Sequence, residues 1–426
     1  MAVRAIFLAA VLGVASSAAF SVISAAGAAE SVAAQPLAPP VEAGTASFPT
    51  ASAVRIGGDD KQTRFVMDFD RKVDLAAFTL ANPYRVVVDM PQVTFHLPQN
   101  AGEKGRGLVK GFRYGLIMPG GSRIVLDAKG PVKIEKAFSM PAAEGQPARL
   151  VLDLAATDRE SFLRTIALEK RGAHTSKRAP VAVKPDVDPR PMVVIDPGHG
   201  GIDNGTHGAG DISEKDIVLA FAKDLQAKLE ASGKYRVMMT RSDDSFIPLT
   251  ERVRFARSHS ASLFISIHAD ALPKREGQAE GATVYTLSEH ASDAEAAKLA
   301  DDENKADVIA GVDLSAEPDD VANILVDLAQ RETKTFSLQF AHATVKEFKS
   351  TARLHKRPLK SAGFVVLKAP DVPSVLIELG YMSNRSDLSH LVNADWRGKT
   401  EGALVQAVDD FFAPRLAGAA AMGARR

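Results

Sequence analysis

Four residues have side chains suited to hydrolytic chemistry and occupy similar places in the chain: His199 in "VVIDPGHGG", Glu214 in "SEKDIVLAF", His268 in "LFISIHAD" and Glu378 in "PSVLIELG". Each ends an apolar run or opens an amphipathic one. Two imidazoles and one carboxylate form a usual catalytic zinc set with one coordination position left open, and a second carboxylate can then act as general base. His199, Glu214 and His268 are scattered along the chain, so they form no local H-E-x-x-H helix and only the fold can bring them together. Taken singly, each has a plainer explanation. A histidine at a strand end is more often structural than ligating, and a glutamate at a first helical position complements the helix dipole. Glu378 is harder to explain away, because it follows Val375, Leu376 and Ile377, where a buried carboxylate is costly unless it is paired or used.

The segments around these residues alternate between strand and helix patterns over residues 190–415, the mark of an α/β domain with a mixed sheet flanked by helices. "MVVID" reads as a buried strand running into His199. "SEKDIVLAFAKDLQAKLEAS" reads as a helix with Ser213 at its N-cap and Asp216 at the capping-box position. Ile217, Phe221, Leu225 and Leu229 recur every four residues along it. "YRVMMTR" is a further strand, "LTERVRFARSH" a further helix, and "ASLFISIHAD" and "PSVLIELGYMSN" strands that end on His268 and Glu378. The polar residues thus fall at element ends, where open α/β sheets place their sites. Arg241, Arg252 and Arg257 suit a salt-bridged scaffold better than substrate binding. His207, His259, His290, His342, His355 and His390 stand in no comparable setting.

Composition narrows the classes. With 426 residues, 46% of them hydrophobic, the chain can build more than one cored domain. Lys+Arg and Asp+Glu balance at 52 each, which gives no general attraction to nucleic acid or an anionic membrane. Cysteine is absent, which excludes disulfides, thiolate zinc sites and a cysteine nucleophile; any metal must be held by His, Asp or Glu. The first residues place Arg4 before a weakly apolar, Ala-rich stretch that ends in Ala26-Gly27-Ala28. Residues 1–28 are therefore expected to be a cleaved secretory signal, with an uncleaved anchor as the alternative. Residues 29–46 and 158–189 read as linkers, and 416–426 as a flexible tail.

Between the linkers, residues 47–157 carry short period-two runs ("TRFVMDFD", "YRVVVDM", "SRIVLDAK", "ARLVLDLA") bounded by turn residues, the pattern of a small all-β sandwich. The stretch "VRIGGDDKQTRFVMDFDRKVDLAAFTLANPYRVVVDM" resembles the AMIN domain that precedes cell-wall amidases. That resemblance implies targeting to peptidoglycan at the division septum.

Over residues 191–413, "VVIDPGHGGIDNGTHG", "SEKDIVLAFAKDL", "TRSDDSFIPLTERVRFARSHSASLFISIHADA" and "PSVLIELGYMSN" occur in order. This part is similar to the zinc-dependent N-acetylmuramoyl-L-alanine amidases of the amidase_3 type. The resemblance implies one zinc per chain held by His199, Glu214 and His268, with Glu378 as the catalytic carboxylate. The implied reaction is hydrolysis of the amide between N-acetylmuramic acid and L-alanine, carried out in the periplasm. Leu379 and Tyr381 stand where Thr and Phe are frequent in the family, which leaves every implied catalytic group in place.

Residues 288–320 exceed what the chemistry needs. Their Ala-rich, acidic part, about Ala291 to Ile309, reads as a helix with few large apolar residues and hence as marginally docked. In similar division amidases such a helix occludes the zinc with a carboxylate until a LytM-type activator displaces it. Glu303 is the expected occluding residue, with Asp301 and Asp302 as alternatives. Two competing readings are a silent peptidoglycan-binding protein and a zinc carboxypeptidase acting on stem peptides.

Overall fold

The computed structural model describes residues 48–98, 100–118, 120–143, 145–172, 188–209, 212–271, 280–312 and 324–423. The expected signal and first linker, and residues 173–187 of the second linker, lie outside the described residues.

Residues 50–156 form nine strands in two sheets. The strands are β1 (Thr50–Gly58), β2 (Gln62–Phe69), β3 (Ala76–Leu80), β4 (Arg85–Pro91), β5 (Thr94–Phe95), β6 (Val109–Met118), β7 (Gly121–Ala128), β8 (Val132–Met140) and β9 (Ala148–Ala156). Five run in the order β5-β1-β2-β9-β8 and four in the order β3-β4-β7-β6. Phe65, Met67, Val86, Val88, Ile124, Leu126, Leu150 and Leu152 fill the core between them, as the period-two runs require. In β4 the alternation fails, because Val87, which points away from this core, is fully buried too. It joins Leu80 and Val125 in a second core shared with the α/β domain. A strand apolar on both faces is one covered on both faces.

The segment expected to be an exposed connector opens with helix α1 (Arg159–Gly172). Phe162 anchors it by meeting Tyr84 edge-on at 5.1 Å, a contact that the charged, Pro-punctuated composition downstream conceals.

The α/β domain carries a six-stranded mixed sheet in the order β11-β10-β12-β15-β13-β14. These strands are β10 (Met192–Pro197), β11 (Arg236–Met239), β12 (Leu263–His268), β13 (Ala282–Leu287), β14 (Leu354–Ala362) and β15 (Ser374–Glu378). β10, β11, β12 and β15 are parallel, while β13 runs antiparallel to β15. Val193 and Ile195 face one core with α2 (Glu214–Ala231), α6 (Ile324–Phe348) and α8 (Ala394–Gly423). Met192 and Val194 face the other, with α3 (Leu249–Ser258) and α4 (Ala294–Glu303). Helix α8 continues to Gly423 where a tail from residue 416 was expected. A seven-residue helix, α7 (Arg385–Leu391), precedes it. Among the described residues no helix is long and apolar enough to cross a membrane.

Three local expectations change. Ser213 stands at the N-cap of α2, but its side chain makes no capping bond. The single helix expected over 291–309 is broken into α4 and α5 (Ala306–Ile309). The break falls at Asn304, whose side chain donates to Gly363 O at 2.9 Å and accepts from Val365 N at 2.8 Å. Nor is the segment marginally docked: Ala296, Leu299, Ala300, Glu303, Ala306 and Ala310 are all buried. Small side chains here allow close approach to the core; they do not leave the helix loose.

Candidate active site

At the carboxyl end of the parallel strands, β12 and β15 pair His268 with Glu378 in register. β10 delivers the Gly-rich turn that carries His199. His199 itself has φ 57°, a left-handed conformation uncommon for a residue with a side chain and frequent at functional sites. Gly198 permits the close approach of His268: a Cβ at residue 198 would fall 2.4 Å from the His268 ring. The two imidazole centroids lie 4.9 Å apart. Glu214 enters from the first turn of α2 with no exposed surface, its Oε1 3.1 Å from His199 Nε2 and 3.4 Å from His268 Nδ1. Backbone amides of Thr206 and Ala269 donate to its two oxygens at 2.9 and 2.8 Å. The helix-dipole explanation of Glu214 is therefore insufficient, since the carboxylate turns into the site.

His199, Glu214 and His268 present ligand atoms within 4.8 Å of one another. His199 Nε2 and His268 Nδ1 are buried without a hydrogen-bond partner, which polar atoms in a protein interior rarely are. Burial disfavours the His199 cation, yet Glu214, Asp203 and Glu303 outweigh burial and hold its pKa well above the ordinary histidine value. For Glu214 burial is likewise outweighed, by His199 and His268, and its pKa falls well below the carboxylate range. Two orphaned nitrogens amid excess carboxylate fit a divalent cation, and the nitrogen–oxygen donor set fits zinc.

Glu378 lies beside this cluster. Its Oε2 accepts from Asp270 N at 2.9 Å, while Oε1 is buried and unpartnered. Burial, followed by the charges of Glu214, Asp270 and Glu303, pushes its pKa well above the usual carboxylate range. Glu303, at the end of α4, reaches the open side of the cluster. Its Oε2 is 3.2 Å from His268 Nδ1 and its Oε1 3.7 Å from His199 Nε2. The cavity left among His199, His268, Glu303 and Phe364 is about 10 Å³, room for one water molecule at most.

Residues 193–410 match the profile of the family Amidase_3, N-acetylmuramoyl-L-alanine amidase, and residues 53–154 match the AMIN domain. The chain belongs to the N-acetylmuramoyl-L-alanine amidase family. It is 34% identical to N-acetylmuramoyl-L-alanine amidase AmiC of Escherichia coli O6:H1 over 379 residues, covering 85% of this chain and 89% of that one. It is 33% identical to AmiC of Neisseria meningitidis serogroup B over 387 residues, covering 86% and 91%. N-acetylmuramoyl-L-alanine amidase AmiA of Escherichia coli K12 is 41% identical over 222 residues, 52% of this chain and 76% of that one.

The cluster also holds groups that the sequence did not single out. Asp203 Oδ2 lies 2.9 Å from His199 Nδ1, which turns Nε2 toward Glu214. Asp270 accepts from Thr206 Oγ1 at 2.8 Å, and burial with the charges of Glu214 and Glu303 raises its pKa to about 7. Both stand in turn segments, where an aspartate reads as turn chemistry; only the fold reveals what they face. Arg241 and Arg252 lie under the site as scaffold. Arg252 bridges Asp196, Pro197 O and His199 O at 2.7–2.8 Å. Arg241 donates to Pro197 O, Gly198 O and Lys215 O at 2.7–3.0 Å. Arg257 pairs with Asp371 at the surface.

Proposed function

We propose that this amidase is an exported, zinc-dependent enzyme of peptidoglycan, concentrated at the division septum by its AMIN domain and held silent by Glu303 until a LytM-type activator opens it. The observation that carries the zinc assignment is the pair of buried, unpartnered nitrogens on His199 and His268 converging with Glu214. Those three residues would hold the metal. When bound, zinc supplies the positive charge that polarises the lactyl carbonyl of N-acetylmuramic acid.

The chain's own residues do the rest. Asp203 fixes the His199 ring, and the Asp270 amide fixes one oxygen of Glu378, leaving Oε1 to take the proton of the attacking water. Glu378 then returns that proton to the departing amine of L-alanine. The amide C–N bond breaks, the carboxylate forms on the muramic acid, and no covalent enzyme adduct is needed. With Glu303 in place the remaining cavity admits no substrate, which supports the silent state.

Metal analysis of the purified protein should give about one zinc per chain. His199→Ala and His268→Ala should lose it with activity, whereas Glu378→Ala should keep the metal and lose roughly 10²–10⁴-fold in turnover. Full activity after chelation would sink the assignment. Mass analysis of digested peptidoglycan separates the activities: free stem peptides with intact glycan mark the amidase, and loss of terminal D-alanine marks a carboxypeptidase. No change even with Glu303→Ala would mark a binding protein. That same variant should hydrolyse without any partner, and equal rates for it and the natural chain would end the occlusion reading.

A further inference from the structure

The occluding segment is held from two sides, and one of them is the AMIN domain. At its start, Asp293 caps α4 through Ala296 N at 2.8 Å, and Glu295 meets Lys360 at 2.8 Å and the Tyr381 hydroxyl at 3.2 Å. All of these lie in the hydrolase domain. At its end, α5 is one turn long and too short to persist alone; Leu249 N donates to Asp307 Oδ1 at 2.9 Å and Gly311 N turns back to Val308 O at 3.1 Å. Three arginines of the four-stranded sheet donate to Val308 O and to the three carbonyls that follow it, the end groups a short helix leaves open. Arg85, 1% exposed, donates from Nη1 to Val308 O at 2.9 Å. Arg113 donates from Nε to Ile309 O. Arg123 donates from Nη1 to Ala310 O and Gly311 O at 3.0 and 3.1 Å.

Two of the guanidinium groups are aimed by carboxylates on the neighbouring strand. Asp127 holds Arg113 at 2.5 and 3.0 Å, and Asp89 holds Arg123 at 2.6 and 2.8 Å. Apolar contact accompanies the polar one: Leu80, Val87 and Val125 share a core with Leu299, Ala300, Ala306 and Ala310. The fit at Gly311 is close, since a Cβ there would lie 2.9 Å from Val125 and 3.0 Å from Val87. Four successive carbonyls, three arginines and a shared core are more than an incidental contact between domains.

We propose that the outer face of the AMIN four-stranded sheet is a latch that keeps residues 294–311 seated over the His199–Glu214–His268 cluster, so that releasing this sheet opens the enzyme. The proposal rests on the occlusion reading above and adds to it where the restraint resides. Freeing the end removes the arginine donors and the apolar contact on which α5 rests, and leaves only the hydrolase contacts of Asp293, Glu295, Asn304 and Asp307 to hold Glu303 in place. A ligand that competes for the arginines, or that pulls the sheet away, would then act as an opener.

Hydrogen exchange of the full chain, read in peptides covering 294–311, tests the latch independently of turnover. The double variant Arg113→Ala/Arg123→Ala should exchange there at least tenfold faster than the natural chain, with peptides of β2 and β9 still protected. Gly311→Asn, which tolerates the left-handed φ of 68° while its Cβ crowds Val125 and Val87, should do the same from the hydrolase side, leaving the AMIN sequence untouched, and decides the matter if the arginine variants disturb β2 or β9. Both should raise partner-free hydrolysis of peptidoglycan at least tenfold, and neither should add to Glu303→Ala. Unchanged exchange in the Gly311→Asn chain overturns the latch. So does faster exchange in a chain that stays silent while Glu303→Ala is active. If Glu303→Ala itself is no faster than the natural chain, the occlusion reading has failed, and the latch's control of activity fails with it.

Discussion

The 2.9 Å contact between His199 Nδ1 and Asp203 Oδ2 decides which ring nitrogen faces the site. A carboxylate on one nitrogen fixes the proton there and leaves the other as the ligating lone pair. Asp203→Ala should therefore weaken zinc binding by about 10–100-fold while the chain stays folded, as a competition titration with a zinc chelator would read. Unchanged affinity would mean that the Gly-rich turn alone orients the ring. Residues of this kind bound what a sequence can disclose. His199, His268 and Glu378 were legible because they interrupt or end apolar runs, where a polar group demands a reason. Asp203 and Asp270 were not, because aspartate in a turn already has a local explanation, and their partners are brought near only by the assembled sheet.

The same division holds for elements. The strands ending at residues 197, 268 and 378 and the helix from residue 214 follow from apolar periodicity, and each appears where that periodicity puts it. The break at Asn304 and the seating of α4 depend on backbone groups distant in sequence, so composition alone suggested one loose helix. Beneath the His199 turn, α3 contributes a strap. Arg252, 2% exposed, pairs with the fully buried Asp196 and donates to two carbonyls of the turn. Arg252→Met would leave Asp196 buried without its cation, at a cost of about 3–5 kcal/mol. A fall of roughly 6–20 °C in Tm follows for a domain of this size, and Asp196→Asn in the same chain should recover part of it.

The pH dependence of that difference has a definite sign. Burial would raise the Asp196 pKa, but Arg252 and the hydroxyls of Thr240 and Ser266 outweigh burial and bring it below the ordinary aspartate value. A depressed folded pKa contributes stability that is present above the unfolded value, about 3.9, and is lost as pH falls through the folded one. Denaturant midpoints of the natural and Arg252→Met chains should therefore draw apart as pH rises above about 4, where the unfolded carboxyl ionises and the cation-less buried one resists doing so, and converge below it. A gap that persists at low pH would show that the carbonyl contacts, not the ion pair, carry the strap.

At the scale of the whole molecule, the two proposals give the AMIN domain two tasks and it has two sheets. The outer face of the four-stranded sheet is taken up by the α/β domain, so the proposed targeting falls to the five-stranded sheet and the sandwich rims. The "VVV" run of β4 read from the sequence as one more period-two strand; only the structure shows it buried on both faces. Targeting and latching can be separated if hydrolysis is measured in a chain already open. In a Glu303→Ala background, deleting residues 48–157 can no longer act through the latch. Any remaining effect belongs to targeting. That deletion should leave hydrolysis of small soluble muropeptides within about twofold, because a ligand that diffuses freely gains nothing from tethering. It should slow hydrolysis of insoluble sacculi by tenfold or more, because on a polymer the second binding event is intramolecular. Equal rates on sacculi with and without the domain would remove the targeting role and leave the latch as its function.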